Sequence, residues 1–299
     1  MSAAALRPAL PDTPALSTAD KANCNAQASC AGDGPGLHAI KRSQPEVSPE
    51  ALEMLTWAVQ ICRADTQPGP AASGHSVMPI RPKPAEWRTL PLTVLRPALD
   101  EILLSRHSRE GLDALQQSGA LDVWLPEIAA TVGFGEADWR HKDVWQHTKQ
   151  VVWQSVPRLA LRWGALLHDI GKTKTRRVDA RGEVTFHGHA EVGAAMFRRR
   201  IAARLGFSGA LKERIHFLIY HHLRGSQYDG SWTDSAVRRF YRDMGDGLDD
   251  LLLLSRADIT TKRRDKRRRA LRWISELDRR VAQLKQADSR VAPLPKGMG

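Results

Sequence analysis

From about residue 89 onward, apolar residues recur at helical spacing. Over residues 94–104 the apolar positions Val94, Leu95, Ala98, Leu99 and Ile102 share one face, which is typical of an amphipathic helix. The same spacing predicts helices over 109–117, 121–130, 142–155, 158–170, 191–205, 211–223, 234–244, 248–260 and 268–286. Only 177–186 has an extended pattern, with Arg181 and Gly182 as the turn of a hairpin. The pattern predicts an all-α helical bundle with a short hairpin-like insertion.

The first part of the chain has a different composition. Residues 1–86 contain 11 of the 17 prolines, and within them only 48–61 has helical spacing. We therefore predict a flexible, largely disordered Pro-rich segment over 1–88. A helical segment over 89–140, a main domain over 141–262 and a basic amphipathic helix with a tail over 263–299 follow it.

Composition limits the location of the protein and the types of metal site. No run approaches the roughly 20 apolar residues of a membrane span, and prolines interrupt any signal sequence, so we expect a cytoplasmic protein without a membrane partner. The three cysteines, Cys24, Cys30 and Cys62, form no CxxC pair, which favours free thiols. A metal site in the later chain would therefore use histidine and carboxylate ligands.

The positive charge lies in the second part of the chain. Residues 1–86 contain 7 Lys and Arg against 8 Asp and Glu, whereas the whole chain has a net charge of +12. A field of this sign attracts anions such as nucleotides or RNA, without selecting among them.

Two ionisable residues occupy the end of a predicted buried helix. The sequence LALRWGALLHDIGK is apolar nearly all round and places His168 and Asp169 side by side, with Gly171 as the predicted left-handed residue after the helix. A buried carboxylate is costly unless it is paired or binds a metal.

Further polar residues lie on inward-facing stripes of neighbouring helices. His147 shares a face with Val144 and Val151, and Asp258 follows Leu251 and Leu254 at helical spacing. His189, His221 and His222 complete the set. A single such histidine is more often an ordinary core or surface residue, but together they favour a site for a divalent metal, Mn²⁺, Ni²⁺, Co²⁺, Fe²⁺ or Mg²⁺.

The order of these residues resembles a known signature. His147, His168-Asp169 and Asp258 are similar to the H…HD…D pattern of the HD metal-dependent phosphohydrolase superfamily. The chain resembles in particular the HD region of bacterial CCA-adding tRNA nucleotidyltransferases, over about residues 90–285. The stretches that carry this resemblance are DVWQHT (143–148), LLHDIGK (166–172), FHGHAEVGA (186–194), YHHLRGSQYD (220–229) and RADITTK (256–262).

The resemblance implies an HD-domain fold over 141–262 and assigns roles to residues. His147, His168, Asp169 and Asp258 would be metal ligands, and His189 and His221 would support a second metal or contact phosphate. The sequence alone leaves open whether His221 or His222 is the ligand. Asp169 and His168 would act in catalysis, and Lys172 would meet a phosphate oxygen, unless it is an ordinary solvated lysine.

Residues 1–86 do not resemble the nucleotidyltransferase domain of those tRNA enzymes, so the resemblance does not imply CCA addition. It implies hydrolysis of phosphomonoesters or 2′,3′-cyclic phosphates on a nucleotide or an RNA end. Two alternatives remain, a non-catalytic HD module that binds nucleotide or tRNA, and the HD part of a split tRNA-maturing enzyme.

The segment before the last helix is strongly basic. Residues 262–272 hold eight basic residues and one acidic residue. This favours contacts of Lys262 and Arg263 with substrate phosphate, or else the segment is a solvated helix face. By the resemblance, His222 would also contact phosphate if His221 is the ligand.

Overall fold

A computed structural model describes residues 46–63, 81–135 and 143–290. Within them the chain is mainly helical, with one small two-stranded sheet, which confirms the predicted all-α bundle. The first part comprises α1 (Pro49–Arg63), α2 (Pro84–Trp87), α3 (Leu92–Leu104), α4 (Ser108–Gln117), α5 (Ala120–Trp124) and α6 (Pro126–Ala129). The second part comprises α7 (Val144–Gln154), α8 (Leu159–Leu167), α9 (Lys172–Thr175), α10 (His189–Met196), α11 (Ala202–Arg204), α12 (Gly209–His221), α13 (Asp234–Met244), α14 (Leu248–Ala257) and α15 (Arg264–Arg290).

The helix α1 is part of the main core. Its buried residues include Met54, Leu55 and Ala58, and it packs against α3 and α4. Gly111 permits this contact, because a Cβ there would lie 2.3 Å from the Cys62 sulfur. The helical spacing over 48–61 predicted this helix, but the assignment of 1–88 to a flexible segment did not anticipate that the helix and the fully buried Trp87 belong to the packed structure. The predicted flexibility of 1–45 and 64–80 lies outside the described residues.

The hairpin forms as predicted. Strand β1 (Arg177–Val178) pairs antiparallel with β2 (Val184–Thr185), and Gly182 has φ +76°, which suits a tight turn. Both strands are only two residues long, so the hairpin is a small insertion beside the bundle.

Several helix boundaries differ from the sequence prediction. The predicted helix 121–130 breaks at Leu125, since a residue before proline is disfavoured in helical geometry and Pro126 has no N–H. The predicted helix 191–205 begins at His189 and contains a π-helical turn, Phe197–Ile201, between α10 and α11. The short helix α9 has no apolar stripe, and the sequence did not predict it.

The helices α7, α12 and α14 pack against α8, and α10 packs against α12. The helix α8 is buried on nearly all sides, as its apolar sequence predicted. Its residue Gly164 lies against Leu218 of α12, where a Cβ would meet that side chain at 2.9 Å. This close packing brings the C-terminal ends of α8 and α12 together.

The helix α15 is anchored by its second half. Ile274, Leu277, Val281 and Leu284 are buried, and the helix packs against α13 and α14. The helix starts four residues before the predicted position, and the tail 291–299 lies outside the described residues. None of the described helices is both long and apolar enough to cross a membrane.

Candidate metal centre

The end of α8 places His168 and Asp169 in the interior. Their residues are 1% and 2% exposed. Burial disfavours the ionised form of Asp169, but His168, His189 and Lys172 outweigh it and hold the pKa of Asp169 well below its usual range. Burial also opposes protonation of His168, yet the carboxylates of Asp169 and Asp258 raise the pKa of His168 above 6.5. In the absence of metal, the pair therefore favours a buried imidazolium and a carboxylate.

Three side chains from different helices form a first group of possible ligands, His147, His168 and Asp258. The Nε2 atom of His147 lies 3.3 Å from Nε2 of His168 and 3.0 Å from Oδ1 of Asp258. Burial raises the pKa of Asp258, but its hydrogen bond with His147 and the charge of His168 prevail and lower it to about 2. The Asp258 carboxylate is therefore ionised at neutral pH.

A second group comprises Asp169, His189 and His222. The Nε2 atoms of the two histidines are 3.1 Å apart, and they lie 3.4 Å and 3.9 Å from Oδ1 of Asp169. Burial lowers the pKa of His222 to about 4, so its imidazole is neutral at pH 7. A neutral imidazole has the lone pair that a metal ligand requires.

Asp169 is a member of the second group and also contacts the first. Its Oδ2 atom lies 3.2 Å from Nε2 of His168 and 3.5 Å from Nε2 of His147, whereas Oδ1 faces the second group. One carboxylate thus contacts donors of both groups with different oxygens, an arrangement suited to bridging two ions.

The four histidine rings are oriented through their Nδ1 atoms. In His168, His189 and His222, Nδ1 lies 2.8 Å from a backbone carbonyl three residues earlier, of Ala165, Phe186 and Ile219 respectively. A carbonyl can only accept, so each Nδ1 donates a hydrogen and each Nε2 of the neutral ring presents its lone pair inward. The Nδ1 of His147 lies 2.9 Å from the Thr260 hydroxyl, which can donate or accept.

These donor atoms fit a divalent metal. Ligand atoms at about 2.1 Å from one ion, separated by angles between a right angle and the tetrahedral angle, are roughly 3.0–3.4 Å apart. Most of the separations within the two groups lie near this range. Imidazole nitrogens with carboxylate oxygens suit Zn²⁺, Mn²⁺, Fe²⁺, Co²⁺ or Ni²⁺, and additional oxygen ligands would suit Mg²⁺.

The structure places His221 outside both groups. Its ring lies 4.7 Å from Phe217 and 4.8 Å from Tyr220 between ring centres, and it lines a cavity of about 550 Å³ on the outer side of α12. The adjacent His222 instead is buried, and its Nε2 lies 3.1 Å from Nε2 of His189. The prediction named His221 as a ligand and His222 as a phosphate contact while leaving the choice of ligand between them open, and the geometry brings His222 into the second group.

Lys172 contacts the cluster, whereas Lys262 and Arg263 lie on the surface. The Lys172 ammonium is 2.6 Å from Oδ2 of Asp169. Lys262 and Arg263 are exposed and follow Thr260, whose hydroxyl touches His147, by two and three residues.

Sequence patterns missed residues that support the centre. Gly171 has φ −67°, so it is not the left-handed residue that was predicted. A Cβ there would lie 2.0 Å from the His189 carbonyl oxygen, so only glycine allows α10 to approach this closely. Gln154 donates from Nε2 to the Ala257 carbonyl at 2.6 Å, beside Asp258. The position of Gln154 seven residues after His147, on the same stripe, was a usable signal.

Comparison with known proteins agrees with this arrangement. Residues 140–289 match the HD domain family. The chain is 37% identical over 167 residues to the CC-adding tRNA nucleotidyltransferase of Thermus thermophilus. The aligned region covers 54% of this chain and 37% of that protein. It is 35% identical over 170 residues to the A-adding tRNA nucleotidyltransferase of Deinococcus radiodurans, 55% of this chain and 38% of that protein. A multifunctional CCA protein of Pasteurella multocida is 30% identical over 135 residues, 41% of this chain and 31% of that protein.

The matches to the three relatives thus span less than two fifths of each relative's length. The family match covers half of this chain, including every residue of the two ligand groups. The chain belongs to the HD domain family.

Proposed function

We propose that the protein is a metal-dependent phosphohydrolase that acts on a phosphomonoester or a 2′,3′-cyclic phosphate of a nucleotide or RNA end. The main support is the position of Asp169, whose two oxygens face two separate groups of inward-pointing imidazole nitrogens. This proposal assigns the HD domain to residues 141–262, with 89–140 as its helical lead-in and 263–299 as a basic extension.

The residues of the centre divide the work in this proposal. His147, His168, Asp258 and Asp169 would hold one divalent ion, and Asp169, His189 and His222 would hold a second. When bound, such an ion neutralises phosphoryl oxygens and makes water more acidic. His168 and Asp169, as ligands of these ions, are the residues that act in catalysis in this proposal.

Lys172 acts as a phosphate contact. Its ammonium contacts Oδ2 of Asp169, and the same oxygen also faces His147 and His168. With an ion at this oxygen, Lys172 would be available to bind a phosphate oxygen. A charge-assisted contact of this type orients the substrate at the mouth of the centre.

The anionic substrate class follows from charge and similarity. The basic balance of residues 87–299 attracts phosphate-rich molecules, and the relatives named above are tRNA nucleotidyltransferases. RNA ends and nucleotides are therefore the substrates to test first, and a role in tRNA processing is part of this proposal.

The test is hydrolysis of 3′-phosphomonoesters and 2′,3′-cyclic nucleotides by metal-free protein supplied in turn with Mn²⁺, Ni²⁺, Co²⁺, Fe²⁺ and Mg²⁺. We expect turnover with at least one metal and none for Asp169→Asn, which keeps the size of the side chain and removes its charge. Asp243→Asn is the matched control, because Asp243 is an exposed carboxylate about 3.9 Å from Arg224.

A second candidate is a non-catalytic module that binds nucleotide or tRNA, alone or as the HD part of a split tRNA-maturing enzyme. The observation that favours it is the exposed basic segment 262–272, which can bind RNA whether or not the centre is active. Stoichiometric metal and RNA binding without turnover of any substrate would support this candidate over hydrolysis.

A further inference from the structure

Two basic segments leave the metal centre, each a few residues after one of its carboxylates. The first, residues 172–181, follows Asp169 and holds five basic residues and one acidic residue. The second, residues 262–272, follows Asp258 and holds eight basic residues and one acidic residue. The proposed hydrolysis of a single phosphate uses only Lys172 among them.

Both segments start at the centre itself. Lys172 contacts Oδ2 of Asp169 at 2.6 Å, and the Thr260 hydroxyl lies 2.9 Å from Nδ1 of His147. Lys262 is two residues beyond Thr260, so their Cα atoms are at most about 7 Å apart. Positive charge therefore extends outward from the ligands along two separate stretches of chain.

The basic charges lie at the surface rather than in the fold. Lys174, Arg177, Arg267 and Arg268 are exposed. The apolar contacts that hold α15 include Trp273 and the buried Ile274, which follow the basic segment. The segment thus adds little to the packing of the bundle.

The position of the second segment is unfavourable for the helix that contains it. The first turns of a helix carry a partial positive charge, and basic residues there are disfavoured. Arg264 and Arg268 are also four residues apart on one face, where like charges repel. An anion bound along this segment would relieve both effects, so the arrangement favours a partner with several negative charges.

We infer that the substrate is the end of a polynucleotide, with its terminal phosphate at the metal centre and its following phosphates between residues 172–181 and 262–272. This rests on the proposed hydrolysis and names its substrate class. From Arg264 to Arg272 the helix rises about 12 Å, longer than one phosphate group. A mononucleotide reaches only the start of these segments, whereas each further nucleotide adds one charge along them.

The experiment measures kcat and KM for 3′-phosphorylated or 2′,3′-cyclic phosphorylated RNA of one, two, four and eight nucleotides, with the full chain and its activating metal. We expect KM to fall as length increases. Two double variants neutralise one segment each, Lys174→Gln/Arg177→Gln and Arg267→Gln/Arg268→Gln. Each should raise KM for the octanucleotide about tenfold and leave mononucleotide hydrolysis unchanged.

The matched control is Arg279→Gln/Arg290→Gln, which removes two exposed charges from the far part of α15. Arg279 lies about 16 Å along the helix from Arg268. The control should keep the octanucleotide KM. The quadruple variant of both segments should reduce the slope of log KM against log salt concentration by roughly 3. Each phosphate contact on a single strand contributes about 0.7 to that slope.

Three results would overturn the inference. Equal kcat/KM for the mononucleotide and the octanucleotide would show that the segments do not bind substrate. An equal loss in the control would indicate a general charge effect. Binding of the segments to vesicles containing anionic phospholipid, with no preference for longer RNA, would identify a membrane surface as their ligand.

The same variants separate this inference from the proposed hydrolysis. If no substrate is turned over, fluorescence anisotropy with the labelled octanucleotide still tests the segments directly. Weaker binding in both double variants but not in the control would retain the polynucleotide partner and reject hydrolysis. Turnover of the mononucleotide without a length effect would retain hydrolysis and reject the polynucleotide.

Discussion

The two sides of α12 show how differently histidines behave on one helix. On the inner side, His222 is 2% exposed, and its Nδ1 bonds the Ile219 carbonyl. On the outer side, His216 and Tyr220 stack with ring centres 6.2 Å apart beside the open 550 Å³ cavity, and Tyr220 is 43% exposed.

Burial explains only part of this difference. Burial is also the main factor that lowers the pKa of His216 and His221, so both favour the neutral form, as His222 does. What distinguishes His222 is that its Nε2 points at another imidazole and at a carboxylate. A neutral histidine becomes a candidate ligand only where other donors converge on the same point.

The largest expected effect is the loss of metal binding by both groups when Asp169 is changed. In Asp169→Asn we expect metal affinity to fall by more than about 100-fold, beyond the range typical of changes outside the ligand set. The reason is that one carboxylate faces the donors of both groups. Metal content after dialysis, measured by inductively coupled plasma mass spectrometry, checks this. Retention of stoichiometric metal by a folded variant would reject the proposed ligand set.

A comparison of adjacent histidines sharpens the contrast between the two sides. His222→Ala should weaken metal binding about 100-fold, whereas His221→Ala should leave it within about threefold of the unmodified chain. Isothermal titration with Mn²⁺ measures both. The reverse order would place the ligand on the outer side of α12.

The two buried histidines also predict the pH dependence of stability in metal-free protein. The pKa of His222 is about 4 when folded and near 6.5 when unfolded, so the unfolded chain binds the extra proton between these values. The contribution of His222 to the free energy of unfolding is therefore present above pH 6.5. It falls by about 3 kcal/mol as the pH decreases toward 4. Urea unfolding of the protein and of His222→Gln at pH 7 and pH 4.5 should show a smaller loss in the variant.

His168 acts in the opposite direction. Its raised pKa stabilises the metal-free protein below pH 6.5, and this contribution is lost as pH rises through the folded pKa. A metal must displace this proton. Metal binding at neutral pH should therefore release protons, and calorimetry in buffers of different ionisation enthalpy measures the number. A His168→Gln variant that releases the same number would contradict this assignment.

The smallest expected effect comes from the support of His147. Thr260→Val keeps the shape but removes the hydroxyl 2.9 Å from Nδ1. We expect about tenfold weaker metal binding with little change in stability, since the ring loses an orienting partner. Thr173→Val, whose hydroxyl bonds the Ile170 carbonyl at 2.9 Å, is the control. Equal metal affinity of the Thr260→Val and Thr173→Val variants would show that the Thr260 hydroxyl does not support metal binding.

The sequence predicted what depends on local pattern. The helices and the hairpin follow from spacing over ten or fewer residues, and the structure confirms them apart from breaks such as that at Leu125. His168 and Asp169 were conspicuous because they end an apolar helix. The structure brings the predicted His147, Asp258 and His189 to the same place.

What the sequence missed depends on contacts between distant segments. Gly171 looked like a helix end, but its role is set by the His189 carbonyl of another helix. Thr260 is 113 residues from His147 in the sequence. The sequence did contain a signal for choosing between His221 and His222. Seven residues before His222 lies the apolar and fully buried Ile215, whereas seven residues before His221 lies Arg214.

The orientation of the rings implies that the two ligand groups differ in their resistance to local unfolding. His189 and His222 are held by carbonyls of their own neighbouring turns, on α10 and α12. His147 depends on Thr260, and Asp258 also lies between α14 and α15. Partial opening of α14 and α15 alone would therefore dismantle the first group while Asp169, His189 and His222 stay in place. On warming, the molecule would retain one half of its centre after it had lost the other.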